Sequence, residues 1–226
     1  MSRSLALTAK TPLGGNVWAF TFEPDQPLNW NPGQAIRIEL PHKHPDTEGT
    51  KRYFTITSAP FERTITITTR LTESTFKQAL AQLPIQGTVT LLDPPAGTFV
   101  WPRIPGRPVV LVAQGIGITP FISLMRQRQH DGSPLAATLV HTNLTLPAPF
   151  QDELAAIAAH HPGLIVHHET RPVTAAHLLE LVPRLPHADV LVSGPRPLLE
   201  LLAPPVNLPL RQHQYDQFTG YGADHY

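Results

Sequence analysis

The run Arg52-Tyr53-Phe54-Thr55-Ile56-Thr57-Ser58 places a cation, an aromatic ring and a small hydroxyl within four residues. A flavin dinucleotide asks a protein for those three groups. Its pyrophosphate needs a cation or backbone donors, its ring system needs flat apolar cover, and N5 needs a small polar neighbour that leaves its edge open. On an extended strand Arg52 and Phe54 point to one face and Thr55 to the other, so the strand must bend or end near a ligand that meets all three. Ordinary barrel alternation with an edge arginine accounts for the same residues without a ligand. Ser74-Thr75, ahead of Phe76-Lys77-Gln78-Ala79-Leu80, reads as a helix start. A helix N-terminus with a hydroxyl suits a phosphate, and Lys77 adds charge.

A second run of glycines lies at domain distance from the first. Val109-Val110-Leu111-Val112-Ala113-Gln114 is a continuous apolar strand that enters Gly115-Ile116-Gly117-Ile118-Thr119-Pro120-Phe121. Glycines let backbone N–H groups approach a pyrophosphate, Thr119 reads as an N-cap, and Pro120 sits where a first helical turn tolerates proline. This is not the dinucleotide fingerprint with three glycines, because Pro120 holds the third place. The next strand ends His141-Thr142-Asn143 and lacks the acidic residue that reads a ribose. Ser193-Gly194-Pro195 ends a later strand, on the edge where open parallel sheets bind ligands.

The elements that position these residues change character along the chain. Before about residue 100 the pattern has period two, with strands expected at Ser4–Thr11, Asn16–Glu23, Gln34–Leu40, Arg52–Thr57, Thr64–Arg70 and Thr88–Leu92, and a helix at Thr75–Leu83. That pattern predicts a closed or nearly closed antiparallel β-barrel. After Trp101–Pro108, strands at Val109–Ala113, Ala137–His141, Leu164–His168 and Val190–Ser193 alternate with helices at Pro120–Gln129, Phe150–His160, Ala175–Val182 and Pro197–Leu202, and an extended run covers Gln212–Phe218. Continuous apolar strands between helices predict an α/β doubly wound parallel sheet. Two domains are expected, residues 1–102 and 107–226.

Composition narrows the classes. The 226 residues are 41% hydrophobic, and 17 Lys plus Arg balance 17 Asp plus Glu, so no net field favours nucleic acid or an anionic membrane. The absence of cysteine excludes disulfides, thiol catalysis and a thiolate-held iron–sulfur cluster within the chain. The first residues lack the apolar core of a signal peptide, and a cytoplasmic protein is expected. The 12 histidines fall in loops and at element ends without convergent partners; solvated histidines are expected, and no metal site. Asp152-Glu153 open a helix, where carboxylates favour the dipole.

Taken together, Arg52–Ser58, Ser74–Phe76, Gln114–Pro120, Ser193–Pro195 and the closing Asp216–Tyr221 resemble the ferredoxin–NADP reductase superfamily, whose barrel is an FAD-binding domain of the flavin-reductase type. The resemblance spans nearly the whole chain. It implies an FAD-binding barrel, with Arg52, Ser74, Thr75 and Phe76 at the phosphates, Tyr53, Phe54 and Thr68 lining the flavin, and Thr55 beside N5. It implies a second domain that binds NADH or NADPH through Gly115, Gly117, Thr119, Gly194 and Pro195, with Ser193 beside the nicotinamide. Tyr221 or Tyr226 would cover the flavin face. Thr55 and Ser193 are therefore the expected catalytic positions. Hydride would pass from the nicotinamide to flavin N5, and electrons would then leave to a separate acceptor: a ferredoxin, a haem protein or an oxygenase.

The chain departs from the family's pattern at three positions. Phe54 stands where a tyrosine is usual, Gln114 replaces the first glycine of the turn, and Ser193 replaces a cysteine. The Ser/Arg pair that reads the 2′-phosphate of NADPH is not evident after His141, which leans weakly to NADH. Gln114 and Ser193 also favour an alternative of another class, a flavin-binding sensor or assembly module with little pyridine-nucleotide turnover. A reductase of free flavins or ferric chelates is a third option.

Overall fold

The structure, a computed structural model, describes residues 3–97, 99–102, 107–144, 147–202 and 213–217. The chain divides into two compact units: residues 1–100 with Ile122–Gln127, and residues 101–121 with 128–226.

In the first unit, strands β1 (Arg3–Pro12), β2 (Val17–Pro24), β3 (Ala35–Glu39), β4 (Lys51–Thr55), β5 (Ile65–Arg70) and β6 (Thr88–Leu91) form one antiparallel sheet in the order β4-β3-β6-β1-β2-β5. Period-two alternation sends Leu5, Leu7, Phe20, Phe22, Ile36, Ile38, Ile65 and Ile67 to one face, where all are buried together. Each such side chain contributes roughly 1.5–3 kcal/mol on leaving water. Helix α1 (Thr75–Gln82) adds Phe76 and Leu80 to that core. A register shift between Leu7 and Ala9 increases the twist of β1. The sheet curls until its two edges, β4 and β5, meet at a bridge between Ile56 and Ile67 and at a 2.7 Å bond from Thr57 N–H to Thr66 O. The expected barrel is present, but it is open along most of this seam.

The second unit holds β7 (Val109–Gln114), β8 (Ala137–Thr142), β9 (Leu164–Glu169), β10 (Asp189–Gly194) and β11 (His213–Gln217), all parallel in the order β11-β10-β7-β8-β9. Helices α2 (Thr119–His130), α3 (Gln151–His160), α4 (Ala175–Leu181) and α5 (Arg196–Leu202) connect them. This is the doubly wound sheet read from the sequence. Every residue of β7 and β10 is buried, which is why Val109–Ala113 and Val190–Val192 read as unbroken apolar runs. Strand order reverses on the two sides of β7, so the carboxyl end of β7 lies at a topological switch point. Arg107 Nη2 lies 3.2 Å from the carboxylate of Asp189, which is 1% exposed, and donates to Ala188 O at 3.3 Å. That pair ties the entry of β7 to the start of β10.

The boundaries differ from expectation at the turn after β7. Gly115–Ile118 winds into a 3-10 turn that runs directly into α2, so Thr119 has helical torsions and is not an N-cap. Its hydroxyl donates instead to Ile116 O at 3.2 Å. Among the described residues no helix is long and apolar enough to cross a membrane.

Candidate functional site

The seam of the barrel gathers hydroxyls. Extending the register from the Ile56–Ile67 bridge sets Thr55 opposite Thr68 and Thr57 opposite Thr66, all on the face away from the apolar core. Thr55, Thr57 and Thr68 are nevertheless buried. The Oγ1 atoms of Thr57 and Thr68 have no hydrogen-bond partner among the described residues. A buried hydroxyl left unpaired costs about 1–3 kcal/mol, so two on one face point to a ligand with polar edges. Ser58 has a different task. Its Oγ donates to Thr64 O at 2.7 Å and accepts from Thr66 N–H at 2.9 Å, which pins the return from β4 to β5.

Arg52 and Phe54 occupy the other face of β4. Phe54 packs into the barrel core with its ring 5.9 Å from that of Phe76, and the Arg52 guanidinium lies 5.3 Å over the Phe76 ring. Tyr53 points outward, 63% exposed, beneath the Arg37 guanidinium. Arg52 does not wait unpaired. Its Nη2 lies 2.9 Å from Asp46 Oδ1 and 3.0 Å from Glu48 Oε2, and its Nη1 donates to the carbonyls of Glu48, Gly49 and Lys51.

The same Asp46 starts α1. Ser74 stands at the N-cap position, but its side chain makes no capping bond. Asp46 Oδ2 accepts from Thr75 N–H at 3.1 Å and from Ser74 Oγ at 3.4 Å, and Asp46 N–H returns a bond to Thr75 Oγ1 at 2.9 Å. His42 Nε2 completes the Thr75 hydroxyl at 3.0 Å. Burial works to raise the Asp46 carboxyl, but the Thr75 and Arg52 bonds outweigh it and hold the group at about 2. Arg52, Ser74 and Thr75 therefore converge on one anion, as the sequence suggested for a phosphate, and a carboxylate of the chain's own loop stands there.

In the second unit the glycine turn is defined by close approach. Gly115 adopts φ +55°, a left-handed conformation that glycine takes without strain. Gly117 lies against the backbone of Ser193, where an added Cβ would overlap the Ser193 carbonyl oxygen. Around this turn, at the carboxyl ends of β8 and β10, the Oγ1 of Thr142 and the Oγ of Ser193 are buried without partners among the described residues. His141 is fully buried, and its Nε2 lies 3.0 Å from Gly115 O, which makes Nε2 the protonated nitrogen and leaves Nδ1 as an unpaired acceptor. Burial, with a lesser push from His168, lowers the imidazole to about 4 against the bond to Gly115, so it is neutral at ordinary pH. Gln114 is buried at the mouth of the turn, and Gly194 and Pro195 follow Ser193 in buried positions. Tyr221 and Tyr226 lie outside the described residues.

An open antiparallel barrel followed by a doubly wound sheet with a glycine turn at its switch point defines the ferredoxin–NADP reductase-like fold class. No protein-family model matches the chain. It is 32% identical over 139 residues to methane monooxygenase component C of Methylosinus trichosporium, which covers 61% of this chain and 39% of that protein. The flavohem-like FAD/NAD binding domain of nitric oxide dioxygenase from Vibrio cholerae superposes with a TM-score of 0.79 at 22% identity, over 96% of this chain and 98% of that one. Ferredoxin–NADP+ reductase from Plasmodium falciparum superposes at 0.71 and 13% identity, over 96% of each chain. The chain spans about two-fifths of the length of the curated relatives it matches.

The sequence reading missed Asp46, His141, Thr142 and the pairing role of Ser58. His141 and Thr142 carried a usable signal: polar residues at the end of an otherwise apolar buried strand. Asp46 carried none, because its partners lie 6 and 28 or 29 residues away in a loop of ordinary polar composition.

Proposed function

We propose that the chain is an NAD(P)H-dependent flavin oxidoreductase that passes electrons to a separate protein acceptor. Residues 1–102 form its FAD-binding domain and residues 107–226 its pyridine-nucleotide domain. The observation that carries this reading is the set of buried polar atoms without partners among the described residues at two places where this fold class can take ligands: Thr57 and Thr68 on the barrel seam, Thr142, Ser193 and His141 Nδ1 at the switch point. These donors and acceptors fit groups rich in polar edges, as both nucleotides are.

When bound, the flavin supplies the chemistry, accepting electrons in pairs and releasing them singly. The chain's residues bind and orient. Thr68 and Thr57 would hold polar groups of the flavin, and Thr55, across the seam from Thr68, would be a small polar neighbour. Gly117 lets backbone N–H groups reach a pyrophosphate, and His141 holds the Gly115 carbonyl away from it. Ser193 positions the nicotinamide. Such a transfer needs positioning more than proton donors, which agrees with a neutral His141. NADH is the preferred donor, because β8 ends His141-Thr142-Asn143 with no cation to meet a 2′-phosphate.

The relative named as a methane monooxygenase component supports an oxygenase as the acceptor. Cytoplasmic residence belongs to the same proposal, and cell fractionation tests it. The test of function is a visible spectrum after loading with FAD, followed by anaerobic addition of NADH and then NADPH. Flavin bands that fade, faster with NADH, are expected. Bands that persist with both donors would move the reading to a flavin-binding sensor or assembly module.

A further inference from the structure

We propose that Asp46 is a built-in competitor for the phosphate of the flavin, and that it sets how tightly this chain holds its cofactor. The proposal rests on reading the first unit as the flavin domain. A phosphate at the start of α1 would use the Arg52 guanidinium, the Thr75 N–H and the Ser74 hydroxyl. All three are engaged by one carboxylate: Arg52 Nη2 at 2.9 Å on Oδ1, Thr75 N–H at 3.1 Å and Ser74 Oγ at 3.4 Å on Oδ2. The remaining terminal nitrogen, Arg52 Nη1, is spent on the three carbonyls of Glu48, Gly49 and Lys51. Glu48 adds a second carboxylate 3.0 Å from Nη2, so the one guanidinium faces two negative charges. An arriving phosphate therefore meets an anion site that is already filled.

The occupant can leave because of where it sits. Asp46 belongs to the connection between β3 and β4, not to either strand, and its side chain is 28% exposed. That connection holds two left-handed residues, His44 at φ +53° and Gly49 at φ +74°, on either side of Asp46. His44 is a non-glycine residue in the left-handed region, where few side chains other than Asn, Asp and His are found, so the loop that carries Asp46 is not held in a regular strand conformation. Phosphate and carboxylate are alternatives for the same donors. Exchange costs the charge-assisted bonds of the carboxylate and regains those of the phosphate. The affinity seen for FAD is then its intrinsic affinity reduced by the fraction of molecules in which Asp46 has left.

The test is equilibrium titration of the full chain with FAD, followed by quenching of flavin fluorescence, and in parallel with riboflavin, which has no phosphate. Asp46→Ala is expected to tighten FAD about tenfold or more, since even one displaced charge-assisted bond is of that size. Riboflavin affinity is expected to stay within about twofold, a change near the usual noise of additivity. Asp46→Asn keeps the size of the side chain and, with its amide oxygen toward Thr75 N–H, the cap of α1, while its NH2 group faces Arg52 in place of an acceptor; it serves if the alanine variant folds poorly, and its FAD affinity is expected to lie between those of the parent and Asp46→Ala. Variants that bind FAD no better than the parent, or less well, would overturn the proposal and make Asp46 a support of the flavin site. Tightening of riboflavin by the same factor would also overturn it, since the effect would then not act through phosphate. Failure of every protein to bind either flavin would remove the flavin reading itself, a different outcome from equal binding by all.

Discussion

Replacing Gly117 by alanine tests whether the turn after β7 is built for backbone approach. A Cβ there would lie 2.7 Å from the Ser193 carbonyl carbon and 2.9 Å from Gly194 Cα, besides overlapping the Ser193 oxygen. Carbon atoms rest about 3.5–4.0 Å apart, so the two segments must separate by roughly 0.6–1.3 Å. The obstacle is backbone and cannot rotate away. Ser193 is paired on both sides, with Ala113 in β7 and Asp216 in β11, so the shift must be shared with the sheet. Overpacking of this kind costs about 1–3 kcal/mol, which for a chain of this size lowers Tm by roughly 2–12 °C. The assay is thermal unfolding beside calorimetric titration with NADH, and both Tm and affinity are expected to fall. Gly163→Ala is the comparison: its nearest neighbour, Leu135 O, lies 3.1 Å from the added atom, and a smaller loss is expected. A Gly117→Ala protein with the parent's Tm and NADH affinity would refute the close-approach argument.

Three further outcomes follow from buried polar groups. Arg107→Ala leaves the Asp189 carboxylate buried without its cation, and a loss of about 3–5 kcal/mol is expected in denaturant unfolding. Thr68→Val removes an unpartnered hydroxyl at constant shape; the flavin-free protein is expected to gain about 1 kcal/mol while FAD affinity falls, as thermal melts and titration would show. His141 sits at about 4 when folded against an ordinary value of 6.5. The unfolded chain therefore binds the extra proton between those values. Stability is complete above about pH 6.5 and declines as pH falls toward 4, by up to about 3 kcal/mol. Urea unfolding at intervals across that window checks the slope, and His141→Leu is expected to flatten it.

The sequence made most of the architecture legible because its two periodicities are clean. Ile65, Ile67 and Thr69 alternate with Thr64, Thr66 and Thr68, while Val109–Ala113 does not alternate at all; in the structure the first set is buried and the second is half-buried except at Thr68, whereas β7 is buried on both faces. Ends were less legible. Thr119 looked like an N-cap because threonine ahead of proline usually is one, but a 3-10 turn upstream had already begun the winding. The site was legible in its residue types and not in its pairings. Arg52, Ser74 and Thr75 do converge, yet what they converge on is Asp46, a contact fixed only when the loop between β3 and β4 folds over α1. Orphaned hydroxyls are likewise invisible in a sequence, since having no partner is a property of space.

The place of β1 in the barrel has a bearing on how the chain is made. β1 lies in the middle of its sheet, between β2, which follows immediately, and β6, which ends at Leu91. On a ribosome the first hairpin can form early, but the other side of β1 has no mate until about 67 more residues have been added after Pro24. At about 5–20 residues per second that interval is several seconds, long against the microseconds in which a hairpin forms. A nascent chain thus shows a bare strand to its neighbours on the polysome for that time. Arg3 at its start and Lys10 toward its end are charges of the kind that discourage strands of different chains from pairing.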